Sequence, residues 1–329
     1  MISVTESRLF DFFRGSSALV ILVAHAYQIL IAPNIDSAKL NPLIFSIAGC
    51  AVMVFFFLSG YMIFSSLYRN ASSHDFKDVD LKKFVIDRFI RLYPPLIFSI
   101  LIMLLVYLTA SLFEIEYLVG DESYILREGF FLDSGLWGSL FFIQNIFEHI
   151  IPTPSLNASL WSLSHEFWFY IIGVLSFKTI LSNQRIVHVI FLVTLLGILI
   201  SFGRFIPFLF GFFLWLVGGL VCVIHQNIEI KKNNAYLYLS IIIFISSLFA
   251  FNSGDQIIYF FSKYIFGISF SVLIIYLLSL DDKDLQYILK SRITNYFIAS
   301  SKYSYTSYVI HWPIYMLIYS VASDYYKEI

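Results

Sequence analysis

Long apolar runs parted by short polar stretches dominate this chain. Several reach ~18–24 residues, enough to cross a hydrocarbon core of ~30 Å as a helix. Nine segments read this way: residues 12–33, 43–66, 85–111, 160–178, 186–202, 205–225, 235–251, 257–280 and 305–322. A tenth stretch, 136–148, is too short to cross and fits an interfacial or re-entrant helix. The period-two alternation of an outer-membrane barrel is absent. The pattern predicts an all-α polytopic bundle of nine to ten spans. Without Gly/Ser linkers, repeats or long charge runs, residues 1–329 read as a single integral-membrane domain.

Composition agrees with that class. Hydrophobic residues make up 59% of the chain and charged residues 13%, about half the ~25% charged content of a soluble domain. Cys50 and Cys222 both sit in apolar runs, so a structural disulfide is not expected. The N-terminal stretch carries Glu6 and Asp11 and no small-residue cleavage site, unlike a removable signal peptide.

The formal net charge of −1 hides a strong asymmetry. With nine spans and a cytoplasmic N-terminus, all of the 21 Lys and Arg except Lys39, Arg127, Arg204, Lys263 and Lys327 fall on the inside, as the positive-inside rule requires. Counting 136–148 as a span inverts everything after it and sends the basic 281–304 segment outside. Nine spans is therefore the better count. The largest external segment then runs from about 112 to 159. It is acidic (Glu114, Glu116, Asp121, Glu122, Glu128, Asp133, Glu148) and ends in the turn-forming Ile151-Pro152-Thr153-Pro154-Ser155-Leu156-Asn157. A long loop with its own short helix is a usual place to recognise an acceptor; a solvated connector is the plainer reading.

Ionisable groups inside a bilayer are costly and invite functional hypotheses. His25 follows Arg14 by eleven residues, which places both on one helix face roughly 16 Å apart. A cation at the rim and an imidazole near mid-membrane suggest a path from the cytoplasmic surface to a buried reactive point. A lone membrane histidine also serves simply to bond a neighbouring helix. Glu166 lies at a comparable depth: about 9 Å below the outer surface, against about 12 Å for His25, at 1.5 Å rise per residue. A carboxylate beside an imidazole fixes its tautomer and stabilises its protonated form, as general-base catalysis needs. Ser162, four residues before Glu166, shares its face. Arg88 and Arg91, three apart at the cytoplasmic entrance of the third span, suit phosphate oxygens, or anchor lipid headgroups. Pro94-Pro95 is expected to end or bend that helix, and His311-Trp312-Pro313 to break the last span. His311 is either a second catalytic group or part of that kink. In Phe57-Leu58-Ser59-Gly60-Tyr61, small residues favour close helix packing. No His/Asp/Glu/Cys group has metal-ligand spacing.

These stretches together resemble acyltransferase family 3, the bacterial integral-membrane acyltransferases that decorate cell-surface glycans. Arg14 and His25 fit an Arg-x10-His signature, and Val54-Phe55-Phe56-Phe57-Leu58-Ser59-Gly60 is similar to the family's Phe-Phe-x-Leu-Ser-Gly run. Arg88-x-x-Arg91 with Leu92-Tyr93-Pro94-Pro95, Trp161-Ser162-Leu163-Ser164-His165-Glu166 and Ser304-Tyr305…His311-Trp312-Pro313 resemble its later motifs, in order over nearly the whole chain. His165 stands where the family pattern leads us to expect an apolar residue. The resemblance implies acetyl-CoA, or another acyl-CoA, as donor on the cytoplasmic side, a glycan hydroxyl as acceptor, and residence in the bacterial plasma membrane. It implies a catalytic His25, with Glu166 sharing or supporting the acid–base role, and Arg14, Arg88 and Arg91 near the donor. Trp161, Ser162 and His311 are candidates for positioning substrate. The rival reading is a transporter or flippase for a lipid-linked glycan, against which stands the absence of an inverted repeat. A non-catalytic scaffold leaves the placement of Arg14, His25 and Glu166 unexplained. Nucleic-acid binding is not expected, because the basic residues are scattered beside the membrane.

Overall fold

The protein is described from a computed structural model covering residues 2–34, 40–115, 129–146, 150–181, 185–202, 205–251, 253 and 255–327. Much of the acidic segment, with Glu116, Asp121, Glu122, Glu128 and Glu148, lies outside the described residues. Among the described residues the regular structure is helical, with no strand. The helices are α1 (Val4–Ala26), α2 (Leu40–Ser72), α3 (Leu81–Leu112), α4 (Ser134–Leu140), α5 (Trp161–Leu181), α6 (Arg185–Phe202), α7 (Phe205–Asn227), α8 (Asn234–Phe251), α9 (Gln256–Leu278), α10 (Asp282–Ile288), α11 (Arg292–Ser300) and α12 (Ser304–Lys327). Six helical stretches among the described residues are long and apolar enough to cross a membrane: Val4–Asn34, Leu40–Ser72, Leu81–Leu112, Phe208–Asn227, Asn234–Phe251 and Gln256–Leu278. The all-α, multi-pass class read from the apolar runs therefore stands.

Polar side chains set the helix starts. Asp80 accepts a hydrogen bond from the Lys83 amide at the head of α3, and Asp255 accepts two from Ile257 and Ile258 at the head of α9. Asp281 and Ser291 start α10 and α11 in the same way.

The chain forms two compact units. The first comprises Met1–Ala24, Ala38–Ser73 and Leu209–Ser304, and its centre is aromatic. Phe57, Tyr61 and Trp215 are fully buried there, joined by Phe10 and Phe270. The packing of α2 on α7 depends on two glycines. A Cβ at Gly60 would stand 1.8 Å from the Trp215 carbonyl oxygen, and one at Gly218 would stand 2.1 Å from that of Phe57. The small residues of the Phe57–Tyr61 stretch thus do what close packing demands: the backbones meet where side chains are missing.

The second unit comprises His25–Ser37, His74–Phe208 and Tyr305–Ile329. Here two expectations fail in an informative way. Helix α3 does not end at Pro94-Pro95 but continues to Leu112. Leu92, Leu96 and Ser99, on either side of the prolines, are all buried, so the helix crosses the two lost N–H hydrogen bonds within a packed region. Nor does Pro313 break α12. A proline removes the partner of the carbonyl four residues earlier, which is Val309. That carbonyl accepts instead from Ser99 Oγ at 2.6 Å and from Asn157 Nδ2 at 2.7 Å, all within a buried region.

Among the described residues of the short apolar stretch, the α-helix runs over Ser134–Leu140. Phe142 and Asn145 adopt positive φ and end it. Asp133 caps that helix through Gly135 N and holds the amide of Ser155 at 2.7 Å, so the turn-forming segment before α5 is tied back to it.

Candidate active site

The second unit brings together His25 and His311. Helix α1 runs unbroken to Ala26 and passes into a π-helical turn over Tyr27–Ile31, a form frequent at functional sites. His25 lies in the last turn of α1, half-buried. Its Nδ1 lies 2.7 Å from Nε2 of His311 on α12, and the two rings meet edge to edge and nearly coplanar, with centroids 5.0 Å apart and planes 9° from parallel. The edge of Trp312 closes one side of His25, centroids 5.0 Å apart.

The partners of His311 assign the protons. Its Nδ1 faces the carbonyls of Tyr308 at 2.7 Å and Ser307 at 3.2 Å. Carbonyls only accept, so this nitrogen carries hydrogen, and Nε2 of a neutral His311 is an acceptor. His25 therefore donates from Nδ1, and its other nitrogen, Nε2, keeps its lone pair. That nitrogen makes no hydrogen bond among the described residues. The arrangement gives an oriented base whose opposite edge is held by a fixed acceptor.

Around this pair a buried polar network holds α12 in place. Tyr308 Oη donates to the Ser159 carbonyl at 2.9 Å and lies 2.7 Å from Ser162 Oγ. Asn157, fully buried, donates to both Ser99 Oγ and the Val309 carbonyl and accepts from Ser159 Oγ at 2.6 Å. Ser162 thus contacts Tyr308. Trp161 sets its ring edge-on to His165, and its carbonyl faces His165 Nδ1 at 2.8 Å.

Glu166 accepts a hydrogen bond from Tyr170 Oη. It is the His311 imidazole, and not this carboxylate, that is bonded to His25. Two side chains at a similar depth on separate spans need not touch, because depth leaves their lateral separation open. Glu166 has Arg88, Arg91, Tyr305 and Tyr308 among its ionisable neighbours. Arg88 lies over the rings of Phe84 at 5.2 Å and Tyr170 at 5.9 Å. Arg91, one turn on, has Tyr170, Glu166 and Tyr305 as its charged or ionisable neighbours. Two guanidiniums, one braced on aromatic faces, with Asp87 and Glu166 as their acidic neighbours, offer paired planar donors of the kind that suits phosphate.

Arg14 belongs to the first unit, where it pairs with Asp11. Sequence reasoning passed over Asn157, Ser99 and Tyr308. A weak signal existed for Asn157, since it ends the Pro-rich turn that precedes the Trp161 motif. No group of three or more His, Cys, Asp or Glu able to hold a metal ion occurs among the described residues.

Residues 8–327 match the model of a family described as an acyltransferase domain, so the chain belongs to acyltransferase family 3. A curated relative, an O-acetyl transferase of Shigella phage Sf6, is 29% identical over 219 residues, 64% of this chain. The match spans 58% of that relative's length. No solved structure matches the chain.

Proposed function

We propose that this member of acyltransferase family 3 is a membrane O-acyltransferase. It moves an acyl group, acetyl foremost, from acyl-CoA on the cytoplasmic side to a hydroxyl of a cell-surface glycan or its lipid-linked precursor. Nine spans in the bacterial plasma membrane, with the N-terminus cytoplasmic, form one membrane domain in this reading. The observation that carries it is the His25–His311 pair, which leaves one oriented imidazole nitrogen with its lone pair.

His25 Nε2 takes the acceptor hydroxyl's proton as the oxygen attacks the thioester carbonyl. The tetrahedral adduct collapses, the carbon–sulfur bond breaks, and the His25 imidazolium returns its proton to the departing thiolate. While His25 is charged, its Nδ1–H points at His311 Nε2, and the carbonyls of Tyr308 and Ser307 keep that acceptor turned towards it. Arg88 and Arg91 dock the donor's phosphates. Glu166 and Tyr170 hold the two arginines in register rather than bracing His25. The acidic segment before α5 reads the acceptor in this proposal.

Purified protein in proteoliposomes, given acetyl-CoA and an acceptor glycan, is expected to release free coenzyme A and O-acetylated glycan. Protein that moves lipid-linked glycan without releasing coenzyme A would point to the flippase instead. Arg88→Ala with Arg91→Ala is expected to raise the donor KM at least about tenfold, the loss of one or two charge-assisted hydrogen bonds. An unchanged affinity for coenzyme A would reject the phosphate dock.

A further inference from the structure

One side chain of the second unit stands outside this account. Tyr305 lies six residues before His311 on α12, about 9 Å along the axis at 1.5 Å rise per residue. Its hydroxyl is sealed from solvent and hydrogen-bonds nothing among the described residues. The ionisable side chains that face it are Glu166, Tyr170, Arg91 and Tyr308. Three residues further along α12, the hydroxyl of Tyr308 is doubly engaged by Ser159 and Ser162, so the helix is well able to satisfy a phenol. At Tyr305 it does not.

An orphaned buried hydroxyl costs the fold free energy that a phenyl ring would not. Its use lies in a partner that arrives from outside. The hydroxyl hydrogen of Tyr305 makes no bond to Glu166, whose Oε1 accepts from Tyr170, so the phenol has a hydrogen to offer an acceptor oxygen that arrives beside Arg91. Of these neighbours Arg91 is the one that reaches the surface.

We propose that Tyr305 Oη donates a hydrogen bond to an amide carbonyl of the donor's pantetheine arm, between phosphates held at Arg88 and Arg91 and a thioester delivered to His25. The assignment rests on the acyl-CoA reading above. It makes Tyr305 a donor-binding residue that distinguishes an amide-bearing arm from a plain alkyl thioester.

The test is Tyr305→Phe, which removes one oxygen and keeps the ring. Loss of one net hydrogen bond predicts an acetyl-CoA KM raised about 5- to 10-fold, with kcat within about twofold. The inhibition constant of pantetheine, which has the amide arm but no phosphate, rises by a similar factor. The melting temperature stays level or increases, because an unsatisfied group is gone. Unchanged KM and inhibition constant would overturn the proposal, as would a loss seen with acetyl-CoA and not with pantetheine, which would move the contact to a phosphate. A lowered melting temperature would make the hydroxyl structural and overturn it too. A wild-type protein that binds no acetyl-CoA sinks the donor reading and Tyr305's role together. Wild-type binding matched by the variant sinks only the role of Tyr305.

Discussion

Two histidines, one in each unit, have opposite surroundings. His225, in the last turn of α7, has both ring nitrogens engaged: Tyr61 Oη lies 2.7 Å from Nδ1 and Glu6 Oε1 lies 3.2 Å from Nε2. A carboxylate accepts only, so a neutral His225 donates from Nε2 and receives the Tyr61 hydrogen at Nδ1. Nothing is left over for a substrate. His25 is bonded at one nitrogen and keeps a lone pair at the other. A closed histidine ties helices together; a half-closed one has the means to move a proton. The residue type is the same, and the count of partners separates structure from chemistry.

The comparison breaks first at His25. His25→Ala is expected to lower kcat about 10²- to 10⁴-fold, the usual worth of a positioned general base, while the protein still inserts and melts near the wild-type temperature. Undiminished transfer in the coenzyme A release assay would end the proposed mechanism. His311→Ala comes next. Losing one hydrogen bond to the charged form of His25 predicts a kcat lowered about 10- to 100-fold, with donor KM little changed. A loss as large as that of His25→Ala would make His311 a second catalytic group and not a positioning one.

Asn157→Ala sharpens the point from outside the pair. It leaves the Val309 carbonyl and two serine hydroxyls short of a partner in a buried site, a cost of about 1–3 kcal/mol. Thermal unfolding in detergent should record it as a clear drop in melting temperature. His225→Ala has the smallest expected effect on transfer: kcat within about twofold, with lowered stability because Glu6 and Tyr61 lose their shared partner. A kcat loss matching that of His311→Ala would erase the distinction between the two histidines.

Several parts of the site were legible along the chain. Arg88 and Arg91 follow a helical spacing, so their shared face needed no tertiary information. Gly60 was readable as a contact point because a small residue in a span has few other uses. The prolines misled, because a proline's effect depends on who satisfies the carbonyl it frees. Pro313 is tolerated in α12 because Ser99 and Asn157, 210 and 152 residues away from Val309 in sequence, supply the missing donors. The His311 partner of His25 was not legible for a related reason. Depth along one axis is a property of each span alone, whereas contact needs the lateral packing of separate spans.

The chain by itself determined the helices, the apolar class, the basic asymmetry and the order of motifs, since each follows from short-range periodicity and from the cost of burying charge in lipid. Tertiary structure alone decided that an imidazole, not a carboxylate, orients His25, and that Tyr308 is satisfied while Tyr305 is not. A hydrogen bond between residues 286 positions apart depends on angstrom-scale packing that no local pattern encodes.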